Sequence, residues 1–272
     1  FQREFDAERT ADALSKSAIT GVSLVPTMLS RLFDADWRPD PPLRFVLLGG
    51  GPASDALLDR CLDYDVPVCP TYGTTETASQ ITTATPGDVR SSPGTVGRPL
   101  VGTEVSIQTD GEGSEPSTVG ELVVAGPTVA PGYLDDAETA GAFVDGRFRT
   151  GDRGYVDENG RFWIVGRADD VIVTGGENVQ PAEVVDALVA HPSVEDAAVV
   201  GVPDEEWGER VVALVVLEEA TDTATPSSEE LHSFCRDRLP AFAIPKAIEG
   251  AEELPRTPSG TVDRSAVRDH FR

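Results

Sequence analysis

The sequence predicts an α/β plus α+β architecture: the end of a parallel α/β sheet, then antiparallel β forming a small barrel, then a compact α+β domain. Three observations predict it. From about 20 to 73, near-continuous apolar runs alternate with segments of helical spacing, the pattern of a parallel sheet covered on both faces. From about 94 to 166, short strand-like runs are separated by Gly, Pro, Asp and Asn, with no long helical pattern between them. From about 167 to 272, helical and strand patterns mix.

The elements follow in order. Gly21-Val22-Ser23-Leu24-Val25 is a short apolar strand. Pro26 to Phe33 places Met28, Leu29, Leu32 and Phe33 at helical spacing. Leu43 to Leu48 is a strand that Gly49-Gly50-Gly51-Pro52 stops sharply. A helix from Ala53 to Tyr64 carries Leu57, Leu58, Cys61 and Leu62 on one side. Val66-Pro67-Val68 begins a further strand, which runs into Thr71-Tyr72-Gly73. The β-rich strands are Val101 to Thr109, Gly120 to Ala125 and Arg161 to Val165, and Asp157-Glu158-Asn159-Gly160 is a hairpin turn. Pro181 to Ala190 is a helix with proline at its first position. Val194 to Val202 and Arg210 to Leu217 are strands. Thr225-Pro226-Ser227-Ser228-Glu229-Glu230 starts a helix, with Thr225 as cap, Pro226 at N1 and acids in the first turn. The acidic, Ser/Thr-rich stretches 110–118 and 219–228 read as solvated loops.

Composition excludes several classes of function. The chain has 272 residues with 39% hydrophobic, enough for a real core. Lys+Arg is 22 against Asp+Glu 47, a formal net charge of -25, and so acidic a surface repels nucleic-acid phosphates. Only Lys16 and Lys246 are lysines. Many carboxylates with almost no lysine suit a halophilic protein, because screening at high salt removes much of the self-repulsion; the alternative is GC-rich codon usage that favours arginine over lysine. No apolar run approaches the roughly 18 residues of a membrane span, and no basic-then-apolar segment opens the chain. Cys61, Cys69 and Cys235 form no CxxC pair. They read as small core hydrophobes in a reducing cytoplasm. The chain begins at Phe1 and its one methionine is Met28, which reads as a piece of a longer protein.

Chemistry concentrates after the strand that ends near residue 71. Thr71-Tyr72-Gly73-Thr74-Thr75-Glu76-Thr77 offers an aromatic face, a close-approach backbone, hydroxyls and a carboxylate. That set suits a nucleotide, with the base on Tyr72, phosphate near Thr75 and Mg²⁺ on Glu76. Taken alone, it suits an ordinary threonine-rich loop equally well. Downstream come Thr150-Gly151-Asp152, Gly166-Arg167-Ala168-Asp169-Asp170, Gly175-Gly176-Glu177-Asn178 and Pro255-Arg256-Thr257-Pro258-Ser259-Gly260. With Gly49-Gly50-Gly51-Pro52, their order and spacing resemble the adenylate-forming superfamily of acyl-CoA synthetases, luciferases and peptide-synthetase adenylation domains, over essentially the whole chain. Thr71 to Ile81, Val25-Pro26-Thr27-Met28-Leu29, Gly175 to Asn178 and Asp204-Glu205-Glu206-Trp207-Gly208 are similar to o-succinylbenzoate–CoA ligases.

The resemblance implies a two-step acid–CoA ligase that uses ATP, Mg²⁺ and CoA. A carboxylic acid is adenylated, releasing pyrophosphate, and CoA then displaces AMP. It implies that Tyr72 stacks on adenine opposite Gly50, Gly51 and Pro52, within a nucleotide site that also includes Thr71 and Gly73. Thr75 would bond the α-phosphate and Glu76 would hold Mg²⁺. Asp152 would accept from the ribose hydroxyls and Arg167 would touch the ribose. It implies domains at 1–166 and 171–272, joined by a hinge at 167–170 centred on Asp169, about which the small domain swings. Gly175, Gly176 and Glu177 would then line the CoA pantetheine tunnel.

Two departures stand out. Family members carry lysine after the Ser-Gly pair, bridging acid and phosphate, and here that position is Thr261. The family's Ser/Thr/Gly-rich phosphate loop has no counterpart and would precede Phe1. The leading expectation is an o-succinylbenzoate–CoA ligase of menaquinone biosynthesis. The alternatives are a ligase for an aryl or fatty acid, and a non-catalytic remnant or split-enzyme subunit that binds AMP or CoA and pairs with the missing N-terminal half or a second copy. His191 reads as a helix-end residue, His232 and His270 as solvated, and Trp163 and Trp207 as packing residues.

Overall fold

The computed structural model describes residues 5–109, 116–217, 226–257 and 261–272, and they fall into two compact units, Phe1–Ile164 and Val165–Arg272. The first unit opens with α1 (Ala7–Lys16), whose first turn donates to the Asp6 carboxylate. Next come β1 (Gly21–Leu24), α2 (Pro26–Asp34), β2 (Phe45–Leu48), α3 (Asp55–Asp63) and β3 (Val68–Tyr72). The three strands are parallel and in register, Val22 beside Val46 and Val46 beside Val68. Leu14, Leu29, Leu32, Phe33, Leu57, Leu58 and Cys61 pack with these strands into one core. The chain then reverses through two short antiparallel strands, β4 (Thr82–Thr83) and β5 (Arg98–Pro99), which flank α4 (Pro86–Ser91). Asp88 folds back on the cap of α4. Its carboxylate accepts from Thr85 Oγ1 at 2.6 Å and from Arg98 at 2.9 Å, and the Thr85 hydroxyl, first among its partners, holds it below the usual carboxylate range.

The second sheet of this unit comprises β6 (Glu104–Gln108), β7 (Gly120–Ala125), β8 (Phe143–Val144), β9 (Arg147–Val156) and β10 (Phe162–Arg167), with α5 (Asp136–Ala142) leading into β8. Its order is β10-β9-β7-β6, with β8 on β9. Its end strands β6 and β10 do not pair with each other, so it is an open half-barrel where a small barrel was expected. The turn at 157–160 is as expected: Asp157 accepts from the amides of Asn159 and Arg161, and Gly160 takes φ 74°.

The second unit holds β11 (Ile172–Thr174), β12 (Glu177–Val179), α6 (Pro181–Val189), β13 (Val194–Asp204), β14 (Gly208–Leu217), α7 (Ser228–Arg236), β15 (Ala247–Ala251) and α8 (Arg264–His270). The β13–β14 hairpin is its spine, with β11 and β15 also paired to β14. Alternate residues of β13 point to opposite faces. Ala197 and Val199 join a core with α6 and α7, and Ala198 and Val200 join one with Val267 of α8. A sheet covered on both faces explains the unbroken apolar run.

Two further expectations need correction. The cap of α7 is Ser227, whose hydroxyl accepts from the Glu230 amide while Glu230 accepts from the Ser227 amide at 2.7 Å. Pro226 therefore precedes the cap instead of following it, and Thr225 lies outside the described residues. Residues 110–115 and 219–225 of the expected loops also lie outside them. His232 is half-buried, not solvated, with Nε2 2.9 Å from the Pro245 carbonyl oxygen. Trp207 is 39% exposed and packs as expected, under the Lys246 ammonium and against the Gly175 turn. The three cysteines are buried, and burial pushes the Cys61 thiol up to about 12.

Ser227→Ala should destabilise the chain by about 1 kcal/mol in urea unfolding, and Ser227→Gly by only a few tenths. A second test concerns acid. Because Asp88 has a lowered pKa, its stabilising contribution is present above the unfolded carboxylate pKa and lost as pH falls through the folded value. Asp88→Asn should therefore lower the thermal midpoint near neutrality and flatten its acid dependence below about pH 4.

Candidate active site

Parallel strands bring ligands to their carboxyl ends, and the site forms at the ends of β2 and β3. A Cβ on Gly49 would lie 2.3 Å from Thr71 Oγ1, so only glycine lets the loop after β2 close on β3. Gly50 has φ 83°, and Gly50, Gly51 and Pro52 are exposed beside it. β3 ends at Tyr72. A Cβ on Gly73 would lie 1.6 Å from the Ser79 carbonyl oxygen, which requires glycine here as well. The chain then makes a tight 3-10 turn over Thr75–Thr77. Ser79 donates to the Thr74 carbonyl and Ile81 to that of Tyr72, while buried Thr77 bonds back to Thr74. This leaves Thr75 exposed and Glu76 half-buried on a fixed loop.

β9 supplies the opposing carboxylate. The β7–β9 register shifts between Glu121 and Val123, and Gly151 takes φ 71° there. Thr150 donates to the Leu122 carbonyl at 2.9 Å, Gly151 donates to Glu121, and Asp152 donates to Thr150 Oγ1 at 3.0 Å. Such a bulge re-aims a side chain. Asp152, 7% exposed, accepts a hydrogen bond from Tyr72 Oη at 2.6 Å. The first unit thus brings together Gly50, Gly51, Pro52, Thr71, Tyr72, Gly73, Thr75, Glu76 and Asp152. Tyr133 escaped the sequence reading. Its hydroxyl donates to Glu76 Oε1 at 2.6 Å, and the nearby Ala130 amide donates to the Glu76 carbonyl at 2.7 Å. The signal was Gly132-Tyr133 after a strand, which periodicity does not register.

The other expected positions lie in the second unit. Arg167 is exposed at the end of β10, 4.0 Å from the Asp169 carboxylate. Asp169 is exposed on a 3-10 turn, Ala168–Asp170. Gly175 (φ 58°) and Gly176 (φ 84°) form the two-residue turn between β11 and β12, beside exposed Glu177. Positive φ at both central positions is the hairpin geometry that favours Gly-Gly. A Cβ on Gly175 would meet the Trp207 ring at 2.7 Å. Thr261 is exposed across a bridge joining Arg256 and Val262, and its Oγ1 lies 2.7 Å from that of Thr257. Arg256 in turn reaches Asp196 at 2.6 Å.

Residues 1–134 match the AMP-binding enzyme family, and residues 183–261 match the AMP-binding enzyme C-terminal domain. The chain is 39% identical over 270 residues to a 2-succinylbenzoate–CoA ligase of Listeria monocytogenes, covering 98% of this chain and 55% of that protein. It is 42% identical over 269 residues to one from Bacillus velezensis, covering 98% and 54%. Its structure resembles that of the o-succinylbenzoate CoA synthetase of Bacillus subtilis in complex with the acyl-adenylate intermediate OSB-AMP. The TM-score is 0.89 at 36% identity, covering 98% of this chain and 55% of that one. The chain spans about half the length of the curated relatives it matches. With the matches and the strand-end site in agreement, the chain belongs to the AMP-binding enzyme family.

Proposed function

We propose that the chain carries the α-phosphate side of an AMP-forming acid–CoA ligase whose acid is o-succinylbenzoate. The observation that supports it best is the 2.6 Å contact between Tyr72 and Asp152. It joins two motifs 80 residues apart, one at the carboxyl end of parallel strand β3 and the other on the bulge of antiparallel strand β9. In this reading adenine lies on the Tyr72 ring, opposite Gly50, Gly51 and Pro52. Asp152 is acceptor-only when ionised and takes both ribose hydroxyls, with Tyr72 fixing its rotamer. Thr75 donates to the α-phosphate as the substrate carboxylate attacks phosphorus and pyrophosphate leaves. Arg167 contacts the ribose.

Glu76 fits a magnesium ion: it is a hard oxygen donor on a rigid loop, and Mg²⁺ takes one or two carboxylates plus substrate phosphates. Bound there, the ion would offset charge on the phosphates. Asp169 would be the hinge of the second half-reaction, where a few residues absorb a large φ/ψ change. Gly175, Gly176 and Glu177 would admit the CoA arm, whose thiol attacks the acyl carbonyl and displaces AMP.

Thr261 stands where the family has lysine. It carries no charge to stabilise the transferring phosphoryl group, a loss of about 10²- to 10³-fold in rate for one such electrostatic group.

The test is ATP–pyrophosphate exchange in molar salt with o-succinylbenzoate and a panel of other carboxylic acids. Exchange with o-succinylbenzoate alone is expected, and exchange only with another acid would overturn the substrate assignment. In a chain joined to the N-terminal half of a relative, Thr261→Lys should raise adenylation by about 10²- to 10³-fold. Thioester formation from preformed adenylate should change far less. Equal gains in both half-reactions would contradict the assigned role.

A further inference from the structure

We infer that Tyr133 is a positioning residue for the metal-binding carboxylate of Glu76. The inference rests on the proposal that Glu76 holds the divalent cation. The segment 130–133 grips Glu76 at two points, the Ala130 amide on its carbonyl at 2.7 Å and the Tyr133 hydroxyl on Oε1 at 2.6 Å. Short O–H···O⁻ contacts of this length are charge-assisted and strong. Tyr133 is itself held. Its amide donates to Thr139 Oγ1 at 2.8 Å, and its ring packs edge-on against Phe143, centroids 5.3 Å apart. Thr139 sits in α5, whose first turn is capped by Asp135. A carboxylate so tethered loses little freedom when a cation binds. Groups that orient a metal ligand in this way typically contribute about 10- to 100-fold in metal affinity.

The experiment is ATP binding to the 272-residue chain by equilibrium dialysis across a Mn²⁺ titration, for the unmodified chain, Tyr133→Phe, Glu76→Gln and the double variant. Tyr133→Phe keeps the ring and its contact with Phe143, and thermal unfolding checks that each variant folds. The inference expects Tyr133→Phe to raise the Mn²⁺ midpoint about 10- to 100-fold. Metal-free ATP affinity, measured in EDTA, should stay unchanged, a split that general loosening would not produce. The double variant should be no worse than Glu76→Gln. If Glu76→Gln raises the midpoint and Tyr133→Phe leaves it within about twofold, the positioning role is overturned while the Glu76 assignment survives. If ATP binding shows no Mn²⁺ dependence, or Glu76→Gln leaves the midpoint unchanged, the Glu76 assignment fails and the inference fails with it. Should Tyr133→Phe not fold, Thr139→Ala, which removes the support for the Tyr133 amide, must raise the midpoint in the same direction, and no rise overturns the inference.

Discussion

The hydrogen bond from Tyr72 to Asp152 ties the parallel sheet to the half-barrel within the first unit. Asp152 is almost fully buried, and a buried carboxylate without partners is costly. The bulge that turns it inward, the Thr150 bonds that fix the bulge and the tyrosine at the end of β3 therefore depend on one another. Moving any of them leaves a buried polar group unmatched. That constraint explains why the glycines cluster there: Gly49, Gly73 and Gly151 occupy positions where a side chain would collide or the backbone lies at positive φ. The site is rigid because backbone close-packing holds it, with little left to flexible side chains.

Much of the fold was legible because the relevant strands are apolar and the helices have one-sided spacing. β2, α2, α6, β13 and β14 all have buried residues in the pattern their sequences carry. β9 was not legible. Its buried side includes Thr150, Asp152 and Gly154 beside Phe148, so polar groups occupy the inward positions and periodicity is hidden. α5 buries no residue and gives no apolar stripe to read. The cap of α7 was misplaced by two residues because Thr225 and Ser227 are both chemically suitable, and only the Glu230 contact separates them. In the site, Tyr72, Asp152, Thr75 and Glu76 were named from motifs, whereas Tyr133 needed the tertiary path of the chain.

In the second unit, the contacts around Thr261 are made without a lysine. Arg256 and Arg264 flank position 261, and each is paired, with Asp196 and Asp170 respectively. Burial pushes the Asp196 carboxyl up while Arg256 opposes the shift. Between them, Thr257 donates its amide to the Thr261 carbonyl at 2.8 Å. Thr257 and Thr261 are thus joined by hydroxyl and backbone contacts, with Arg256 paired to Asp196 beside them. Half-exposed ion pairs of this kind contribute little individually.

The most direct measurement of the central claim is calorimetry of AMP with the chain and with Asp152→Ala and Tyr72→Phe. If the Tyr72–Asp152 pair organises the nucleoside site, AMP binds at one equivalent and the affinity falls tenfold or more in Asp152→Ala. Tyr72→Phe, which keeps the ring and loses only the hydroxyl, should fall between them. One-to-one binding that both substitutions leave unchanged would contradict the account, as would no AMP binding by the unmodified chain.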